Sequence, residues 1–285
     1  MKTTGAYKIW QIIYPIGIYY VVSGIVYMVL EVLLGPAGPD YMLRQMICAA
    51  ATLPFLWSFY KEDKKTLPAG PGRGDPQPSK ETGNLTSRGS GAGRDLFMGR
   101  EGMRCRMSLL SDLALSAIAG GTAGIALNNL IAMTRLTQMS SGFKEANEAF
   151  FAGQLIFELL GSCLLIPVAE ELLYRGVVYR RMRPVCGASF SVLLSAVIFG
   201  LMHGNLVQFL YAGALGLLLA FLLERTKHLL TAVCAHIAAN LAAVLRQETG
   251  WLSFCYEVSP AALLCTAVLT AAAAAAVLIL WKKRR

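Results

Sequence analysis

The sequence predicts an all-α, polytopic membrane protein of about eight transmembrane helices, and three observations lead there. Of its 285 residues 55% are hydrophobic and 15% charged, too little charge to cover the surface of a water-soluble domain of this size. Apolar runs of about 20 residues recur along the chain, the length that crosses about 30 Å of hydrocarbon as an α-helix. Lysine and arginine gather in alternate connections, as they do in the cytoplasmic loops of membrane proteins.

The spans fall at 9–34, 42–60, 107–133, 154–179, 185–203, 206–223, 229–245 and 260–281. Lys2 and Lys8 precede the first, and Lys61, Lys64 and Lys65 follow the second. Arg180, Arg181 and Arg183 follow the fourth, Arg225 and Lys227 the sixth, and Lys282 to Arg285 the eighth. The intervening connections are poor in positive charge, so both termini read as cytoplasmic and the protein as a resident of the cell membrane. The opening MKTTGAYKIW runs into the first span without a small-residue cleavage site, which reads as a retained helix rather than a removed signal peptide.

Three regions follow. Residues 1–60 form an N-terminal two-helix membrane segment and 107–285 a six-helix membrane core. Between them, 61–106 is rich in Gly, Pro, Ser and charge and cannot bury enough apolar surface to fold, so it reads as a disordered basic cytoplasmic linker. The formal charge of +9 does not point to nucleic acid, because the basic residues lie between apolar runs instead of along one face. The 7 cysteines show no CxxC spacing and sit mostly in apolar segments, which indicates neither a disulfide framework nor a zinc knuckle.

Ionisable side chains are costly at membrane depth, about 2.5 to 3.5 kcal/mol each on insertion scales, and those retained there mark sites or pathways. In this chain they concentrate in three strings. EELLYR in the fourth span carries Glu170, Glu171 and Arg175; FGLMH ending the fifth carries Phe199 and His203; HIAAN in the seventh carries His236 and Asn240. Residues four apart share a helix face, so Glu171 and Arg175 are expected to pair. Glu170 then points about 100° away, toward a cavity. The resulting catalytic cavity would lie between the fourth, fifth and seventh helices.

Peptide hydrolysis needs an activated water and a donor for the developing oxyanion. Glu170 and His203 suit the first task, His236 and Asn240 the second. Glu170, His203 and His236 are equally acceptable as ligands of one divalent ion such as zinc, and the sequence leaves both mechanisms open. Blander readings stand beside these: an ion pair at Glu171 and Arg175 that only eases insertion, and an interfacial histidine at His203. Depth opposes the grouping, since His203 lies about 28 Å and His236 about 14 Å from the cytoplasmic edge on ideal helices. Glu158 is expected at the cavity mouth or in the interface, and Asp112 is expected to be solvated.

Taken together, EExxxR, FxxxH and HxxxN on successive apolar helices resemble the signature of the CAAX prenyl protease and bacteriocin-processing family, which includes the type II CAAX prenyl endopeptidases. The likeness covers roughly 154–245. It implies an eight-helix intramembrane endopeptidase in which Glu170 and His203 activate water, His236 and Asn240 hold the oxyanion, and Glu171, Arg175 and Phe199 support them. It also implies a peptide or prenylated protein substrate in the bilayer. Two rival classes remain, a non-catalytic scaffold or immunity protein with the same fold and a proton-coupled transporter. HExxH and GxSG strings are absent, which disfavours site-2-type and rhomboid-type proteases.

Overall fold

The computed structural model describes residues 5–67, 92–134 and 136–283, and for 5–7 and 92–106 the backbone alone. All its long elements are helices, and no strand occurs among the described residues. Helices α1 (Gly5–Leu34) and α2 (Tyr41–Thr66) form a hairpin. Its turn is held by Asp40, which accepts from the Gly38 N–H at 3.0 Å and from Arg44 Nε at 2.6 Å. Large apolar side chains such as Trp10, Val21 and Val32 project outward from α1, a surface that only lipid can cover without cost.

Helix α3 (Ala92–Ala132) leads through the short turn α4 (Leu136–Met139) to the amphipathic α5 (Ser141–Phe150), whose first turn is capped by Ser140 accepting from the Phe143 N–H. A bend of 110° separates α5 from the long helix α6 (Leu155–Cys186). Helix α7 (Ala188–Leu201) and helix α8 (Leu206–Thr226) make a tight hairpin. Its turn passes through Gly204 at φ +83°, and Asn205 caps α8 by accepting the Gln208 N–H. Helices α9 (Leu229–Thr249) and α10 (Pro260–Lys283) complete the molecule.

The closest helix crossing sets the position of α9. A Cβ on Gly120 of α3 would lie 2.0 Å from the Ala235 carbonyl oxygen of α9, so only glycine permits the two backbones to meet there. His236 is the next residue of α9, and the α3 contact therefore fixes its depth and direction.

Among the described residues five helices are long and apolar enough to cross a membrane, or six if α5 and α6 count as one broken span. The polytopic all-α class stands, while the count of eight does not follow from these helices. Helix α7, drawn from sequence as 185–203, has 14 residues and reaches only about 21 Å, short of a full crossing. Helix α2 continues into the charged run Lys61, Glu62, Asp63, Lys64 and Lys65.

The linker expected over 61–106 is helical at both edges, since α2 runs to Thr66 and α3 starts at Ala92. Residues 68–91 lie outside the described residues. The N-terminal hairpin also contacts α6 directly. Arg181 of α6 pairs with Asp63 of α2 at 2.7 Å, Arg183 with Glu224 of α8 at 2.9 Å, and Lys283 of α10 with Asp112 of α3 at 2.8 Å. These pairs draw the basic ends of the helices together. Asp112, expected in solvent, is fully buried there at 0% exposure, because the Lys283 ammonium replaces water as its partner.

Candidate active site

The site is built on α6, which is not a uniform α-helix. Wide π turns occupy Leu159–Leu165 and Leu172–Tyr179, and an α segment, Ile166–Glu171, lies between them. Such turns re-aim side chains and recur at functional sites. Pro167 falls where the first π segment passes into the α segment, and its missing N–H removes one bond of the helical ladder there. The paired glutamates end that segment and diverge. Glu171 is completely buried, whereas the Glu170 side chain keeps 19% exposure and borders a cavity of ≈ 670 Å³.

Glu171 is held in structure through one of its oxygens. Its Oε1 accepts from Arg175 Nη1 at 3.0 Å and from His236 Nδ1 at 2.9 Å. Arg175 in turn donates Nη2 to the Gly216 carbonyl of α8 at 3.0 Å and lies with its guanidinium 4.4 Å over the Phe199 ring. Glu171 Oε2 and Arg175 Nε are buried without a hydrogen-bond partner among the described residues, so the burial cost of the two charges is offset chiefly by their contact with each other. The contact is tight at Gly216, where a Cβ would sit 3.0 Å from Arg175 Nη2 and 3.1 Å from the Phe199 ring and would press both aside.

His236 is held between the two acids. With Nδ1–H donated to Glu171, its Nε2 faces Glu170 Oε2 at 3.8 Å. His203 closes the opposite wall: its Nδ1 is 2.8 Å from the Phe199 carbonyl oxygen. A carbonyl can only accept, so Nδ1 carries the proton and Nε2 is left as a free lone pair. Both imidazoles stand edge-on to the Phe199 ring, at centroid distances of 4.8 Å for His203 and 5.7 Å for His236. The depth mismatch expected from ideal helices is thus removed. Helix α7 starts late and stops short, and its hairpin with α8 carries His203 inward.

Asn240, one turn beyond His236, also borders the cavity. Its Nδ2 donates to the Ser162 carbonyl at 2.7 Å, within the first π segment, and the second amide hydrogen remains free. Glu170, Phe199, His203, His236 and Asn240 therefore share one cavity, with Glu171 and Arg175 behind it. Glu158, expected at the mouth or in the interface, is buried at 1% exposure.

Two contributors had no motif to reveal them. Helix α2 supplies Tyr41, Met42 and Gln45 to the cavity wall, a contact made across the chain. Tyr211 of α8 also borders the cavity, and its hydroxyl is buried without a protein partner. A lone hydroxyl in the apolar run LVQFLYAGALG is the one signal that could have drawn attention to it. Among the described residues no three His, Cys, Asp or Glu side chains converge as a metal ion needs. Glu170, His203 and His236, offered as zinc ligands from sequence, do not form such a group.

Residues 152–242 match the family model of type II CAAX prenyl endopeptidases, Rce1-like. The resemblance seen in the three strings is borne out by that match, which takes in α6, α7, α8 and the part of α9 that carries His236 and Asn240. Over 89 residues the chain is also 32% identical to the protein named "Putative membrane peptidase YdiL" of Bacillus subtilis (strain 168). That similarity covers 31% of this chain and 36% of the relative's length. No solved structure matches the chain. The matched segment thus lies within a multi-pass membrane protein.

Proposed function

We propose that the chain is an intramembrane endopeptidase that hydrolyses a peptide bond of a membrane-associated substrate with a water activated by Glu170 and His203. One observation carries this reading: of two adjacent carboxylates, Glu171 is neutralised by Arg175, while Glu170 stands in the cavity 3.8 Å from His236 Nε2. A structural ion pair needs the first acid only.

In the reaction, Glu170 takes one proton from water, and the His203 Nε2 lone pair accepts a hydrogen bond from the second hydrogen, which stays on the attacking oxygen and orients it. The water oxygen bonds to the scissile carbonyl carbon, and the carbonyl electrons move onto oxygen. His236 Nε2 and the remaining amide hydrogen of Asn240 stand toward that oxyanion as its hydrogen-bond partners. The C–N bond then breaks as Glu170 returns its proton to the leaving amine. The products are a new carboxyl terminus and a new amino terminus.

The test is cleavage in liposomes of farnesylated and unmodified peptides by the wild type and by Glu170→Gln. A general base contributes about 10²- to 10⁴-fold, so the variant is expected to lose at least about a hundredfold in rate with its melting temperature unchanged. Cleavage undiminished in Glu170→Gln would overturn the assignment. A cellular phenotype that survives the substitution, with no peptide cut by either protein, would favour the non-catalytic scaffold.

A further inference from the structure

Among the described residues the deeply buried arginines are Arg44, Arg175 and Arg246, at 1%, 1% and 2% exposure. Taking a guanidinium out of water is costly unless an opposite charge stays beside it. Arg44 has Asp40 at 2.6 Å and Arg175 has Glu171 at 3.0 Å. Arg246 is paired with no carboxylate among the described residues. Its Nη1 donates to Asn129 Oδ1 and its Nη2 to the Leu252 carbonyl at 3.4 Å. Its guanidinium lies 4.1 Å from the centre of the Tyr256 ring, and its Nε has no partner. Every one of these contacts is neutral, and the carbonyl end of α9 adds only a partial negative charge.

Arg246 borders the same cavity as Glu170, and among the described residues it is the only lysine or arginine that does. It lies in the last turn of α9, one and a half turns beyond Asn240 and about 9 Å further along the axis. Its setting is braced by three helices. Asn129 of α3, which accepts from Arg246, donates its own Nδ2 to Thr266 Oγ1 of α10 at 2.9 Å. Asn128 and Gln247, the chain neighbours of Asn129 and Arg246, border the cavity as well. A clamp that only joined α3, α9 and α10 would need hydrogen-bond donors and no charge. The full positive charge is what these neutral partners leave over.

We infer that Arg246 is a specificity-determining residue that receives a carboxylate of the bound peptide, either its free chain terminus or the side chain of an aspartate or glutamate within a few residues of the bond that is cut. The planar guanidinium offers five N–H donors in a geometry that matches a carboxylate, and only two have acceptors within the protein. Hydrogen bonds between such charged groups are stronger than neutral ones. A peptide without the anion leaves the guanidinium as it stands, buried and unneutralised, and the site discriminates against it for that reason. The inference rests on the endopeptidase reading for the bond that is cut, whereas capture of the carboxylate needs no turnover.

The test titrates the full chain carrying Glu170→Gln, in detergent, with one fluorescein-labelled apolar octapeptide read by anisotropy. The peptide is made as the free acid, as the amide, and as the amide with one glutamate near its end. The free acid is expected to bind at least about tenfold more tightly than the plain amide. Tight binding of the glutamate form assigns an acidic side chain as sufficient, and weak binding assigns the chain terminus. With Arg246→Gln added, the three forms are expected to bind within about threefold of one another. Equal binding of the three by Glu170→Gln, no saturable binding of any, or a preference that survives Arg246→Gln would overturn the inference. Should the double variant fail to accumulate, the preference in Glu170→Gln decides, since no other lysine or arginine among the described residues borders the cavity. A free-acid preference with no peptide cut by the wild type removes the hydrolase reading alone. Cleavage of acid and amide with equal kcat/KM removes the carboxylate site alone.

Discussion

Arg175 and Phe199 lie face to face, with the guanidinium 4.4 Å from the ring centroid, and this contact organises everything around it. The same ring meets His203, His236 and Tyr174 edge-on. Phe199→Leu keeps the apolar volume and removes these ring contacts, each worth about 0.5–1.5 kcal/mol. Turnover is expected to fall about tenfold, corresponding to about 1.4 kcal/mol in the barrier, and the melting temperature by a few degrees. A melting loss with unchanged turnover would show that the ring only fills space.

The Glu171–Arg175 pair predicts strong non-additivity. Arg175→Met strands a buried carboxylate and should destabilise by about 3–5 kcal/mol. Adding Glu171→Gln removes the stranded charge and is expected to recover much of that loss. Thermal unfolding of the single and double variants in one detergent measures the coupling. Additive losses would mean that the pair carries no mutual energy.

Tyr211→Phe should raise stability by about 1 kcal/mol, since its buried hydroxyl has no protein partner and an unsatisfied buried donor costs about 1–3 kcal/mol. Because the hydroxyl borders the cavity, cleavage is expected to slow in the same variant. A lower melting temperature would reveal a structural partner for the hydroxyl.

Gly120→Ala and Gly17→Ala form a matched pair. The first drives a methyl against the Ala235 backbone, while the second meets nothing within 4 Å. Gly17→Ala is expected to leave melting unchanged within about 1 kcal/mol. Gly120→Ala should lower it by several degrees and, through His236, reduce turnover as well. Equal melting for the two would contradict the close approach of α3 and α9.

The strings EELLYR and HIAAN carried much of the site's geometry in plain view, because spacing on one helix is local: Glu171 with Arg175, Glu170 turned aside, His236 in line with Asn240. What spacing does not encode is how far a helix runs into the membrane. His203 looked misplaced because its helix was drawn as 185–203, and the observed Ala188–Leu201 helix with its sharp return at Gly204 depends on contacts with α8. The wall from Tyr41, Met42 and Gln45, the burial of Asp112 by Lys283 and the π turns of α6 likewise arise from long-range contacts, for which a single sequence has no period to display.

The wide turns of α6 make a change in residue count tolerable where an ordinary helix would not allow it. A π turn accommodates one residue beyond the α repeat. Deleting one residue within Leu172–Tyr179 would let that stretch relax to ordinary α geometry while the helix beyond keeps roughly its facing, so that Arg181 still meets Asp63 and Arg183 still meets Glu224. The same deletion in the α segment Ile166–Glu171 would turn one part of the helix by about 100° against the other. Functional versions of this protein are thus expected to differ in length within Leu172–Tyr179 more readily than within Ile166–Glu171.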